Sequence, residues 1–210
     1  PRTRGQKLAF MLDFPDCVGA IVADYALADF EAVRSSLGKL KWVWVLKTGE
    51  GTGKSSGPND RMLDDILSGP VPQIEIRATD PDAPMQMLFT SGTTGDPKAI
   101  LAPHRRFGEA AMIGYVLGLQ PSDRPYTGLS LTHANAQLVT LASSIKMGLR
   151  GVISRKFTKS RLWDITRAYG CTVFNLLGGM TTAIYSEPRK PNDADNPVRY
   201  VISAGMPAAI

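Results

Sequence analysis

Leu88-Phe89-Thr90-Ser91-Gly92-Thr93-Thr94-Gly95-Asp96-Pro97-Lys98 decides how this chain is read. Residues 85–89 are apolar apart from Gln86 and predict a buried strand. Every residue from 90 to 95 is then Thr, Ser or Gly. Such a loop offers hydroxyl donors and closely spaced backbone N–H groups, and Gly92 and Gly95 let an anion approach the main chain. Pro97 stiffens the exit and Lys98 adds one cation at its end. A triphosphate needs these parts: small residues, hydroxyls and amides for its oxygens, and an ammonium for charge. A solvated Gly/Ser/Thr turn has the same composition. Two features weigh against it here: the strand directly before the loop, and the single Lys in place of scattered charge.

Outward from this loop the chain alternates strands and helices. Upstream, the pattern predicts a helix over 6–14, a strand over 18–23, a helix over 27–37 and a strand over 42–46. A polar glycine-rich loop over 48–59 and a short helix over 60–67 follow. The stretch 69–84 contains Pro70, Pro72, Pro81 and Pro84 and reads as a connector. Downstream, strands are predicted over 100–102, 126–131, 152–153, 171–174 and 200–203. Helices are predicted over 105–119, 136–147, 160–169 and 180–185, the third ending at Gly170. This alternation at short spacing predicts an α/β fold of layered, largely parallel sheets flanked by helices. Residues 1–69 read as a first α/β portion, 70–84 as the connector and 85–210 as the portion holding the loop.

Composition bounds the function. The chain has 210 residues, enough for a sizeable core, and a formal charge of +5 carried without any dense basic run. Nucleic acid is therefore not an expected partner. Its two cysteines, Cys17 and Cys171, lie in apolar runs and read as small buried hydrophobes, not as a disulfide or a metal site. No apolar run approaches the roughly 20 residues of a membrane helix, so the cytoplasm is the expected compartment. The chain starts without Met and stops just after a strand, and it is expected to be a piece of a longer polypeptide.

A second glycine-rich loop, Gly49-Glu50-Gly51-Thr52-Gly53-Lys54-Ser55, ends like a P-loop. Thr48 occupies the position where that motif requires Gly. Ser56-Gly57-Pro58-Asn59 then breaks the helix that should follow and present its N-terminus to phosphates. An exposed loop is the better reading, with a P-loop NTPase as the alternative.

The Thr90–Lys98 stretch closely resembles the signature loop of the adenylate-forming (AMP-binding) superfamily, which includes acyl- and aryl-CoA synthetases, luciferases and peptide-synthetase adenylation domains. Its pattern is aromatic-Thr-Ser-Gly-Ser/Thr-Thr-Gly-x-Pro-Lys-Gly; the departure here is Ala99 at the last Gly. Pro1-Arg2-Thr3-Arg4-Gly5 is similar to a family segment that precedes a helix. Leu129-Ser130-Leu131-Thr132-His133 resembles a Pro-Leu-Phe-His segment whose His lies near the acyl pocket. A lone His beside a strand also serves as an ordinary structural residue. Ala134-Asn135-Ala136-Gln137 is similar to carnitine- and crotonobetaine-CoA ligases. Asn175-Leu176-Leu177-Gly178-Gly179-Met180 occupies the place of an acyl-pocket wall, though a strand-to-helix turn also calls for glycine there. Ser203-Ala204-Gly205-Met206-Pro207 resembles Ser-Gly-Gly-Ala-Pro, whose backbone lies against adenine.

The resemblance implies that Thr90, Ser91, Gly92, Thr93, Thr94, Gly95 and Lys98 hold the ATP phosphates. Ser203, Ala204 and Gly205 would line the adenine, and His133, Gly178 and Gly179 the acyl substrate. It implies ATP, Mg²⁺, coenzyme A and a small-molecule carboxylate for the whole enzyme, an acyl-CoA synthetase. It also implies further segments that this sequence lacks: a Tyr-Gly-x-Thr-Glu segment whose Glu helps hold Mg²⁺, a ribose-binding Asp, and a C-terminal domain with a catalytic Lys. The 210-residue chain alone is therefore expected to be inactive, with no catalytic group of its own beyond the supporting Lys98 and His133. The rival class is a non-catalytic α/β module that keeps the loop as a turn.

Overall fold

The computed structural model describes residues 3–51, 53–77, 79–90, 97–206 and 208. The chain forms two compact units. The first takes Pro1–Thr79 with Met87–Leu101, and the second takes Asp80–Gln86 with Ala102–Ile210.

In the first unit, α1 (Gly5–Asp13) leads to β1 (Gly19–Ala23), α2 (Leu27–Arg34), β2 (Trp42–Leu46), β3 (Arg61–Met62) and α3 (Leu63–Leu67). The three strands pair in chain order and in parallel, with Gly19 opposite Trp42 and Ala23 opposite Leu46. Val43 and Val45 alternate inward along β2 and join Val22, Leu27, Phe30 and Leu37 in one core. The other face of β2 carries Trp42 and Trp44, whose rings lie 4.6 Å apart.

The short helix expected over 60–67 begins later, at Leu63. Asp60 is the reason. Its carboxylate accepts from both terminal nitrogens of Arg34 (2.6 and 2.8 Å), from the backbone N–H groups of Val43 (3.0 Å) and Gly57 (2.8 Å), and from Ser55. A residue anchored this way to α2, β2 and its own loop cannot also open a helix, and Arg61–Met62 pairs with β2 instead. The Asp60 side chain is only 4% exposed, and Arg34 and its other hydrogen bonds hold the carboxyl well below the usual range.

Strand β4 (Pro84–Thr90) and β5 (Lys98–Pro103) form a two-stranded sheet. Residues 85–89 thus form the expected strand, but a half-buried one, with Met85 42% exposed, because only one neighbour strand covers it. Phe89 packs edge-on against Phe10 and Phe14 of the first unit.

The second unit runs α4 (His104–Ala110), α5 (Ile113–Val116), β6 (Pro125–Thr127), a π-helical segment (Asn135–Ala142), α6 (Ser143–Met147), β7 (Val152–Ile153), α7 (Leu162–Tyr169), β8 (Val173–Leu177), α8 (Gly178–Tyr185) and β9 (Tyr200–Ala204). Its sheet is parallel throughout, in the order β7-β6-β8-β9. Side chains alternate across it. Tyr126, Phe174 and Leu176 join Leu162 and Trp163 of α7 and Met180 and Ile184 of α8 on one face. Val173, Tyr200 and Ile202 pack with Leu119 and Leu149 on the other, where Asn175 meets Thr140 of the π-helical segment. Helices therefore cover both faces, as a parallel sheet requires.

Three expectations for this unit are corrected. The helix over 105–119 is interrupted after Ala110, where Gly108 and Gly114 weaken it and Gly114 lies against Met147 and Ser143. The strand over 126–131 ends at Thr127, because Ser130–His133 closes a turn. The strand over 171–174 begins at Val173 and continues through Leu177. Gly170 ends α7 as expected, in the left-handed conformation at φ 63°.

Replacing Asp60 by Asn is expected to lower the unfolding free energy at neutral pH by about 3 kcal/mol, the scale for breaking a buried ion pair. A carboxylate whose folded pKa is depressed stabilises fully above its unfolded value of about 4 and loses that contribution as pH falls below it. Urea titrations between pH 3 and pH 7 should therefore show a shallower acid limb for Asp60→Asn than for the parent chain.

Candidate functional site

The expected site residues are divided between the two units. In the first, β4 delivers the chain to Thr90 and β5 resumes at Lys98. Ser91, Gly92, Thr93, Thr94 and Gly95 lie outside the described residues, as do Pro1, Arg2 and Pro207 of the other motifs. Lys98 opens β5 with an exposed side chain, and Pro97 before it is buried.

The second unit builds its part from topology. The chain leaves β6 through the π-helical segment to β7 on one side, and leaves β8 through α8 to β9 on the other. Successive connections diverge at the C-terminal ends of β6 and β8, and such a switch point opens a crevice where ligands of α/β sheets bind. The residues on its rim are the motif residues. The Leu129–His133 segment follows β6, Gly178 and Gly179 follow β8, and Gly205 follows β9.

Two of these glycines have a structural reason. A Cβ on Gly178 would stand 2.5 Å from the carbonyl oxygen of Gly205, so the start of α8 and the end of β9 touch backbone to backbone. Gly205 itself has φ 75°, the left-handed region. Gly179 is exposed with no such neighbour. Ser203 and Thr181 share a hydrogen bond of 2.9 Å between their hydroxyls, tying β9 to α8 beside the same rim. Ala204 is exposed.

His133 sits in the turn that leaves β6, its side chain exposed. Its backbone N–H donates to Ser130 (2.9 Å) and its Nδ1 accepts from the backbone N–H of Asn135 (3.2 Å). The structure thus brings His133, Gly178, Gly179, Ser203, Ala204 and Gly205 to the C-terminal side of one sheet.

Sequence reasoning missed the polar clip at the opposite end. Asp123, before β6, is 2% exposed. It accepts from Nε and Nη2 of Arg199 before β9 (2.8 and 2.5 Å), from the Thr172 hydroxyl before β8 (2.7 Å) and from the Gln120 N–H (2.7 Å). The Arg199 guanidinium beside it holds its carboxyl well below the usual range. This carboxylate gathers the N-terminal ends of three strands and has no free lone-pair direction for chemistry. The only sequence signal was an Asp at a loop-to-strand junction, matched by an Arg before another strand.

The Gly49–Ser55 loop is likewise structural. Asp24, buried, accepts from the N–H groups of Thr48 (2.9 Å) and Gly49 (3.0 Å) and from the Thr48 hydroxyl, which with its other hydrogen bonds lowers its pKa. Ser55 is held by Asp60, and the next element is the short strand β3, not a helix opening at the loop. The P-loop alternative loses its support. Both cysteines are free thiols, and burial pushes Cys171 up to about 11, so it is an unreactive thiol in the core. A cleft of ≈ 1010 Å³ in the first unit, between α1 and β1, is lined by Leu8, Met11, Leu12, Ile21 and Phe30 among others.

A family model described as AMP-binding enzyme matches residues 1–210. The chain belongs to the AMP-binding enzyme family. Among AMP-binding relatives, the medium/long-chain-fatty-acid–CoA ligase FadD17 of Mycobacterium tuberculosis is 33% identical over 171 residues, covering 76% of this chain and 34% of that protein. Long-chain fatty acid transport protein 2 of Rattus norvegicus is 30% identical over 144 residues, covering 69% of this chain and 23% of that protein. The chain thus spans between about a quarter and a third of these relatives. In fold it is similar to the anthranilate CoA ligase AuaEII solved with anthranoyl-AMP, at a TM-score of 0.82 and 18% identity, covering 96% of this chain and 39% of that one.

The two rim glycines should answer differently to a methyl group. Gly178→Ala is expected to cost about 1–3 kcal/mol, since neither backbone can retreat. Gly179→Ala should stay within about 0.5 kcal/mol. Thermal unfolding of the two variants checks this.

Proposed function

We propose that the chain is the phosphate-loop portion of an ATP-dependent acyl-CoA ligase. The observation that carries this reading is the AMP-binding match across all of residues 1–210, with the Thr90–Lys98 stretch inside it. The names of its relatives support the acid–thiol class: one is a fatty-acid–CoA ligase, and a structural neighbour is a CoA ligase holding an acyl-adenylate.

In the first half-reaction a carboxylate oxygen of the substrate attacks the α-phosphorus of ATP. The bond to the bridging oxygen breaks, pyrophosphate departs, and an acyl-adenylate remains. In the second, the thiol sulfur of coenzyme A attacks the acyl carbon, AMP leaves, and the thiol proton passes to solvent. Neither step needs a protein nucleophile, so the protein contributes positioning and charge stabilisation. The Thr90, Ser91, Thr93 and Thr94 hydroxyls and the Gly92 and Gly95 amides receive the β- and γ-phosphates, and Lys98 neutralises the departing pyrophosphate. Ser203, Ala204 and Gly205 receive the adenine, and the Gly178–Gly179 turn and His133 the acyl end.

Among the described residues no group of three or more His, Cys, Asp or Glu side chains stands where it could hold a metal ion, and no step is assigned to Mg²⁺ on these residues. No helix among them is long and apolar enough to cross a membrane. By itself the chain is expected to release no pyrophosphate.

The test is a carboxylate panel on the full-length protein, scored by pyrophosphate release and CoA thioester formation. Lys98→Ala should lower kcat/KM for ATP about thirtyfold, the equivalent of losing one charged contact of ~2 kcal/mol, while Lys54→Ala leaves it unchanged. Loss in Lys54→Ala in place of Lys98→Ala, or silence of the full-length protein with every carboxylate, refutes the assignment.

A further inference from the structure

Asn175 is an amide in the middle of β8, 2% exposed, on a strand whose other residues are Val173, Phe174, Leu176 and Leu177. Burying an amide in such company is costly unless its donors and acceptor are paired. Here its oxygen and one of its N–H groups are used on one partner element. Its Oδ1 accepts from the Thr140 hydroxyl at 2.8 Å, and its Nδ2 donates to Oδ1 of Asn135. Thr140 is itself 2% exposed.

Asn135 and Thr140 are five residues apart on the π-helical segment. On an α-helix, at 3.6 residues per turn, that spacing puts two side chains about 140° apart. Winding with hydrogen bonds from i to i+5 brings the two onto one face of the segment. The wide winding is therefore what lets both residues reach the same amide. In turn, the amide holds the first turn of the segment in that winding.

The same first turn holds His133. The backbone N–H of Asn135 donates to His133 Nδ1 at 3.2 Å. A ring nitrogen that accepts carries no proton, so the neutral ring bears its proton on Nε2. We propose that Asn175 is a positioning residue: through Asn135 and the π-winding it fixes the tautomer and placement of His133 at the rim of the sheet. In the acyl-CoA ligase reading, on which the use of this device rests, His133 then presents an Nε2–H donor to the acyl end. A leucine at position 175 would fill the same core and leave the Thr140 hydroxyl and the Asn135 carbonyl unpaired.

The test needs no turnover and is read on the ring itself. Long-range ¹H–¹⁵N spectra of the labelled full-length protein are assigned by the signals lost in His133→Gln and in His104→Gln, with His104 on α4 as the internal reference. His133 is expected to show the pure Nε2–H pattern at a pH where it is neutral. Asn175→Leu should replace it by averaged nitrogen shifts of two exchanging tautomers, with His104 unmoved. Asn135→Ala, at the half-exposed start of the segment, keeps every apolar core side chain and should do the same should Asn175→Leu fail to fold. Thr140→Ser, which keeps the hydroxyl, should retain the single tautomer. A pure Nε2–H pattern that survives Asn135→Ala, or averaged shifts in the parent chain, overturns the proposal. A full-length protein without ligase activity would remove the use of the device and leave the histidine result standing.

Discussion

The strand order β7-β6-β8-β9 is the constraint on which the second unit depends. The chain enters the sheet at its interior with β6, adds β7 on one side, and then returns to add β8 and β9 on the other. Parallel pairing forces each connection to cross the sheet, and helices must cover both faces. The connections after β6 and β8 therefore diverge. One enters the π-helical segment on the face of Val173 and Asn175, the other enters α8 on the face of Phe174 and Leu176. The gap between them is a product of chain order, and at its border Gly178 lets the start of α8 meet the backbone of Gly205.

The two ends of that sheet are built to opposite rules. At the N-terminal end a buried carboxylate, Asp123, is saturated by Arg199, Thr172 and Gln120. Every lone-pair direction is spent on joining strands, so the end is rigid and chemically closed. At the C-terminal end the groups are small, exposed or hydroxyl-bearing: Gly178, Gly179, Ser203, Ala204, Gly205 and His133. Rigid anchoring at one end lets the other carry loops whose backbone is available to a ligand. The first unit uses the same economy in Asp24 and Asp60, which hold Thr48, Gly49, Ser55 and Gly57 of the loop between β2 and β3.

What could be read from residues alone divides along the same line. The β1–α2–β2 alternation, the apolar run of 85–89 and the helix stop at Gly170 are local signals, set by periodicity and by one residue's permitted φ. They were legible, as was the family of the 90–98 loop. The burial of 85–89 was overestimated, because apolar letters do not report how many neighbour strands exist. The late start of α3 was not legible, because it turns on Arg34, Val43 and Asp60, which are distant in sequence. Nor was the break in the helix over 105–119, where Gly114 answers to Met147 and Ser143. The Asp123 clip was hidden for the same reason, since its partner Arg199 lies 76 residues away.

The π-winding belongs with these non-local effects, and it shows how a strand can dictate the pitch of a helix. Asn135 and Thr140 have no helical-face relationship in an α-helical reading, and a helix over 136–147 was the natural expectation from their neighbours. The decision comes from β8. An amide buried there must place a donor and an acceptor, and the segment packed over it offers a carbonyl and a hydroxyl five residues apart. Satisfying both requires the wider turn, whereas an α-turn would strand one polar group in the core at a cost of about 1–3 kcal/mol. Below Ala142, where no such pair is demanded, the chain returns to α-helix at Ser143 and ends at Gly148. The irregular backbone is thus confined to the stretch adjoining His133, and its cause is a single side chain on the neighbouring strand.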